Sequence, residues 1–215
     1  MKMQGMDAVK PRRRRRQSEI REFRRESLMR AALVTVGEHD LEGATVARIC
    51  ARAGASRGLI SHYFSSKEDL LVAALRGLFD DAQALKERIA ADESLTAVER
   101  IRRIAHSSFK APVYSWEAAA AWQAFTNASR HNSAFRGAIR RPTQQAVTTV
   151  TPLFEQLAAK KALRGSPNES AMGLFILIDG LWNSLATGKD KLRPTQAMAL
   201  CDTYLEGCLE SDQPN

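Results

Sequence analysis

Apolar residues recur at the three-and-four spacing of helices along most of this 215-residue chain, and no stretch alternates convincingly as a strand. The sharpest segment is 45–70. Thr45 is a good N-cap, and behind it Val46, Ile49, Cys50 and Ala53 fall on one helical face. Gly54 breaks that helix as a residue needed in left-handed backbone geometry would. Ser56 caps a second short element, 57–64, whose Leu59, Ile60 and Tyr63 or Phe64 can pack back on the first while Arg57, Ser61 and His62 stay free. Ser66, followed by Glu68 and Asp69, opens a third helix with acidic side chains at its positive end. Two helices joined by three residues make a helix-turn-helix, which can lay its second helix in a DNA major groove. An ordinary bundle hairpin with a glycine turn is the alternative. The shortness of the second helix, its free Arg57, Ser61 and His62 with Lys67 nearby, and the room Gly58 leaves for a flat partner favour DNA.

Beyond residue 76 the pattern stays helical. Leu71, Leu75, Leu78, Ala82, Leu85 and Ile89 form one stripe, continuing the helix that leaves the first unit. Thr96 and Glu99 make a capping box ahead of Ile101, Ile104 and Ala105. Helices are predicted over 114–130 and 133–141, with Pro142 breaking or kinking the connection, and over 143–161 with a kink at Pro152. Gly165, Ser166 and Pro167 read as a stop and restart, and the last two helices, 168–186 and 194–210, flank a polar loop with Gly188, Lys189 and Asp190. The helix from 168 is apolar nearly all round (Met172, Leu174, Phe175, Ile176, Leu177, Ile178, Leu181, Trp182, Leu185), so it must be buried on several sides.

Charge refines this division. Residues 1–76 hold 16 Lys or Arg against 9 Asp or Glu, and 77–215 hold 16 against 15, so nearly all of the net +8 lies beside the helix-turn-helix. Contacts to phosphate release condensed counterions, which is what such an excess is for. Arg12 to Arg16 form a run of five arginines. They read either as a tail adding nonspecific attraction or as an arm that reaches a minor groove, where arginine is favoured. Residues 1–21 are taken as a basic arm without regular structure. At 44% hydrophobic content the rest can build a real core.

Several function classes drop out. His39, His62, His106 and His131 have no acid or nucleophile at motif spacing, and neither a phosphate loop nor a metal signature is present, so no catalytic residue, metal or cofactor is expected. Cys50, Cys201 and Cys208 suit buried thiols rather than a disulfide framework. The longest apolar run is interrupted by Asp179, no signal peptide follows the arginines, and the chain reads as cytoplasmic with no membrane partner.

The stretch 22–82 resembles the DNA-binding domain of the TetR family of bacterial repressors. The resemblance is carried by Ala31-Ala32, Thr45-Val46, Ala53-Gly54, Ser56-Arg57-Gly58, His62-Tyr63-Phe64 and Ser66-Lys67-Glu68-Asp69-Leu70. Within the family, the run from Ile60 to Phe64, the piece Trp122-x-Ala124-Phe125 and the run Leu177 to Trp182 are similar to the BetI group, choline-responsive repressors of glycine betaine synthesis. Ser61, where most of the family has an aromatic residue, is shared with that group. Asp40 stands where a glycine usually ends the first helix, so Gly43 is expected to supply the bend. Val36 replaces a larger aromatic residue.

The resemblance implies an all-α, TetR-like fold: a three-helix DNA-binding domain over 22–82, with its helix-turn-helix at 45–64, and a helical effector-binding and dimerisation domain over 83–215. It implies a homodimer, paired through the last two helices, that reads a palindromic double-stranded operator and is released by a small molecule. The DNA contacts it assigns are Thr45, Ser56, Arg57, Gly58, Ser61, His62, Tyr63 and Lys67. For a choline-like quaternary ammonium, which has no hydrogen-bond donor on its cationic head, aromatic faces and a carboxylate are needed. Trp116, Trp122, Phe125, Asp179 and Trp182, with Tyr114, are the candidates. Each tryptophan can equally be core or dimer contact, and Asp179 can equally bond a neighbouring helix. Two other readings stay open: a repressor of an efflux or catabolic operon with an unrelated effector, and a ligand-independent DNA binder driven by the arginines.

Overall fold

The computed structural model describes residues 10–188 and 192–210. In chain order the helices are α1 (Lys10–Gly43), α2 (Val46–Ala53), α3 (Arg57–Tyr63), α4 (Lys67–Ala90), α5 (Ala97–Ser107), α6 (Trp116–Ala128), α7 (Ser133–Ala159), α8 (Pro167–Thr187) and α9 (Pro194–Cys208). The described residues form no strand; a lone bridge joins Leu163 to Leu209. The all-α expectation therefore holds.

Local chemistry sets most of the boundaries. Thr45, Ser56 and Ser66 cap α2, α3 and α4, each accepting a hydrogen bond from the backbone N–H three residues on. A cap of this kind contributes about 1 kcal/mol. Gly54 ends α2 in left-handed geometry at φ 60° and ψ 36°. Thr96 and Glu99 form the capping box at the start of α5.

Three expectations are corrected. First, α1 starts at Lys10, so residues 10–21 are helical and not an unstructured arm; arginine is a good helix former, and Arg15 pairs with Glu19 one turn on at 3.0 Å. Residues 1–9 lie outside the described residues. Second, the bend near the end of α1 falls on Asp40 itself, at φ 57° and ψ 178°, while Gly43 keeps helical geometry. Third, the helices expected over 133–141 and 143–161 are one, α7, with Pro142 and Pro152 both inside it. Each removes one ladder bond, and packing of α7 against α4, α5 and α8 along its length keeps the helix going. α4 runs unbroken from Lys67 to Ala90, as the apolar stripe from Leu71 to Ile89 predicts.

α1 packs against α6, α4 and α2, while α7 and α8 complete the body around α4 and α6. The α1–α6 seam is tight. A side chain at Gly37 would place its first carbon 2.2 Å from the Glu117 carbonyl oxygen, so only glycine fits. On α8, Leu174, Ile178, Leu181, Trp182 and Leu185 are buried, but Met172 and Ile176 remain 47% and 65% exposed in the single chain. Cys50 and Cys201 are buried as expected and Cys208 is half-buried. Burial, with Asp202 adjacent, pushes the Cys201 thiol up to about 12. Lys189 and Asp190 of the polar loop lie outside the described residues.

Candidate functional site

The helix-turn-helix presents one polar face. Thr45, Ser56, Arg57, Gly58, Ser61 and His62 are all exposed, while Ile49, Cys50, Ile60 and Phe64 are buried beneath them. Thr45 Oγ1 and Ser56 Oγ each accept a cap bond at 3.3 Å, from Arg48 N and Leu59 N. Ser61 Oγ donates to the Arg57 carbonyl at 3.3 Å, back along its own helix. His62 stands edge-on to Tyr63, centroids 5.0 Å apart, and Tyr63 is half-buried. The Arg25 guanidinium lies 5.5 Å over the Phe64 ring, tying α1 to the end of α3.

Lys67 is placed differently from its partners. Its ammonium donates to the Leu41 carbonyl at 2.8 Å, fastening the start of α4 to the end of α1. The sequence reading also missed Arg48 and Arg52. Both are exposed on α2, Arg48 donating to the Gly43 carbonyl at 2.8 Å and Arg52 paired with Glu38. Their spacing from Thr45 on the polar side of α2 was the available signal.

The second feature is a cavity of about 340 Å³ among α4, α6, α7, α8 and the end of α5. Trp122, Asp179 and Trp182 line it. The Trp122 indole N–H donates to Asp179 Oδ1. The Trp182 indole donates to the Ser108 carbonyl at 2.8 Å, which fixes its ring against Tyr114, centroids 5.9 Å apart. Phe79 meets Trp122 edge to face at 5.3 Å and joins the lining. Trp116 and Phe125 do not line the cavity. Phe125 is fully buried against Phe135 at 5.2 Å, a core contact, and Trp116 starts α6 at the far end from Thr126. Tyr114 stands behind Trp182 rather than on the wall itself.

Sequence reasoning overlooked Lys86, Thr126, Gln83 and Phe175 on the wall. Lys86 was the most legible of these, because it sits four residues after Ala82 on the inward stripe of α4. It is 9% exposed, and burial pulls its ammonium down from 10.5 to about 8. Among the described residues no group of His, Cys, Asp or Glu could hold a metal, and no helix is long and apolar enough to cross a membrane.

Known proteins match both parts of the chain. Residues 28–74 match the sequence profile of bacterial regulatory proteins of the tetR family, and residues 97–210 that of the BetI-type transcriptional repressor C-terminal domain. The HTH-type transcriptional regulator BetI of Paraburkholderia phymatum is 33% identical over 189 residues, covering 87% of this chain and 93% of its own. That of Burkholderia ambifaria is 31% identical, covering 90% and 97%. Among solved structures, a transcriptional regulator from Pseudomonas aeruginosa PAO1 superposes with a TM-score of 0.73 at 26% identity, covering 86% of this chain and 90% of that one. A regulator from Saccharomonospora viridis in complex with choline has the same fold, with a TM-score of 0.77 at 22% identity over 88% and 99% of the two chains.

Proposed function

Because this chain belongs to the TetR family of bacterial regulators and carries a BetI-type C-terminal domain, we propose that it is a homodimeric repressor released from a palindromic operator by a quaternary ammonium compound, with choline as the reference ligand. The genes it would control are those of choline uptake or glycine betaine synthesis. The observation that carries this reading is Asp179. The carboxylate faces a mainly apolar cavity, where the Trp122 N–H donates to one of its oxygens and it forms no ion pair with a described residue. A cation held between that carboxylate and the rings of Trp122, Phe79 and Trp182 would balance it, each ring contact contributing up to about 2 kcal/mol when desolvated.

Exposed Met172 and Ile176 support the homodimer, since they lie both on the outer face of α8 and on the cavity wall. A second copy covering that face would close the cavity and set two α3 helices about 34–36 Å apart, one turn of DNA. Release then needs a ligand that prefers the arrangement with the wrong spacing. Driving the population from 99:1 to 1:99 takes about 5.5 kcal/mol, or about 2.7 for each of two sites.

The test is titration calorimetry with choline, alongside an operator gel shift. Asp179→Asn keeps the acceptor for Trp122 and removes the charge, and should weaken choline at least tenfold. Choline failing to bind the wild-type chain, while an uncharged small molecule releases DNA, would sink the reading.

A further inference from the structure

Two polar groups in the cavity have no use for a bare quaternary ammonium. Lys86 makes no hydrogen bond or ion pair with any described residue, although it is 9% exposed and lines the wall. Thr126 Oγ1 is buried on the same wall with no hydrogen-bond partner. A buried hydroxyl without a partner is expensive, and a ligand oxygen would remove that cost.

We propose that the effector is a quaternary ammonium compound that also carries an anionic oxygen group, a carboxylate or a phosphate ester, with its cationic head at Asp179 and Trp122 and its anionic group on Lys86. This rests on the cation site at Asp179 and adds the opposite end of the ligand. Choline alone fits the far end poorly. Its hydroxyl can meet one polar group but cannot balance a charge, and its own cation is repelled by the Lys86 ammonium across the same cavity.

The dimensions suit a compact zwitterion. Lys86 stands seven residues after Phe79 on α4, about 10 Å of helix rise, and Phe79 abuts Trp122. The Thr126 hydroxyl, one turn after Trp122 on α6, can donate to an anionic oxygen. At about 340 Å³ the cavity lies in the range of drug-sized ligand sites and exceeds what a trimethylammonium head requires. Burial lowers the Lys86 ammonium to about 8, so it remains mostly charged at neutral pH and is ready to take an anion.

The experiment is calorimetry on the full-length chain at pH 7 with choline, glycine betaine, phosphocholine and a longer trimethylammonium carboxylate, repeated on Lys86→Met and Lys86→Arg. On the wild-type chain at least one zwitterion should bind ten or more times tighter than choline, and the carboxylate and phosphate arms identify the anionic group. In Lys86→Met that zwitterion should weaken at least tenfold while choline tightens, so the order of affinities reverses. Lys86→Arg should keep the preference, and circular dichroism of each variant separates misfolding from lost recognition. Choline binding best to the wild-type chain, or Lys86→Met weakening every ligand equally, overturns the proposal and leaves the cation site standing. Absence of binding by all four compounds overturns both.

Discussion

Lys86→Met should make the ligand-free protein more stable. The ammonium is held at about 8 against 10.5 by burial alone, which means that the fold keeps a charge it would rather release. At about 1.36 kcal/mol per pH unit between those values, the cost is about 3 kcal/mol. Methionine has nearly the same length, no charge and enough flexibility to fill the space. For a chain of this size a gain of that order raises Tm by about 6–12 °C. The pH dependence fixes the cause. An unfolded lysine keeps its proton up to 10.5 while the folded one loses it near 8, so between those values the unfolded state binds more protons and stability rises with pH. The penalty is complete below 8 and gone above 10.5. The stability difference between variant and wild type, measured by urea titration from pH 7 to 10.5, should therefore shrink across that window. A variant less stable than wild type by more than about 1 kcal/mol at pH 7, or a difference independent of pH, would refute the reasoning by showing that the lysine is favourably partnered.

Asp40→Gly should stabilise the chain by about 1 kcal/mol in the same titration, because φ 57° with ψ 178° is a region that only glycine occupies freely. Gly37→Ala should cost about 2 kcal/mol, since its methyl would collide with the Glu117 backbone and force α1 and α6 apart; an unchanged melting curve would contradict this. Arg57→Ala should weaken operator binding by roughly 1–3 kcal/mol if the guanidinium reads a guanine, with little effect on random DNA. Equal loss on both sequences in a fluorescence anisotropy assay would make it a phosphate contact instead.

The helix-turn-helix was legible because every feature that shapes it is local. The caps at Thr45, Ser56 and Ser66 and the left-handed Gly54 act within a few residues of themselves. Asp40 was half legible: its strain was visible, yet the bend was expected at Gly43, because chemistry favours glycine while the α1–α2 junction demands a turn three residues earlier. Pro142 misled as a boundary for the opposite reason, since a long helix pressed on several sides tolerates a lost hydrogen bond that an isolated helix would not. The aromatic residues show where periodicity stops informing. Trp122 and Phe125 are three apart on α6, but one meets the cavity and the other Phe135, a distinction made only by where α4, α7 and α8 lie. Lys86 is the reverse case, a charged residue at an inward position of an apolar stripe whose meaning depended on the empty space in front of it.

The bare backbone at Gly37 has a mechanical consequence. Side chains at most helix seams absorb small displacements by turning about their own bonds, and this slack damps motion. Where α1 rests on α6 through glycine there is nothing to turn. A movement of α6, whose Trp122 and Thr126 face the cavity, would meet α1 at this point backbone to backbone. The smallest residue in the chain would then make a stiff joint.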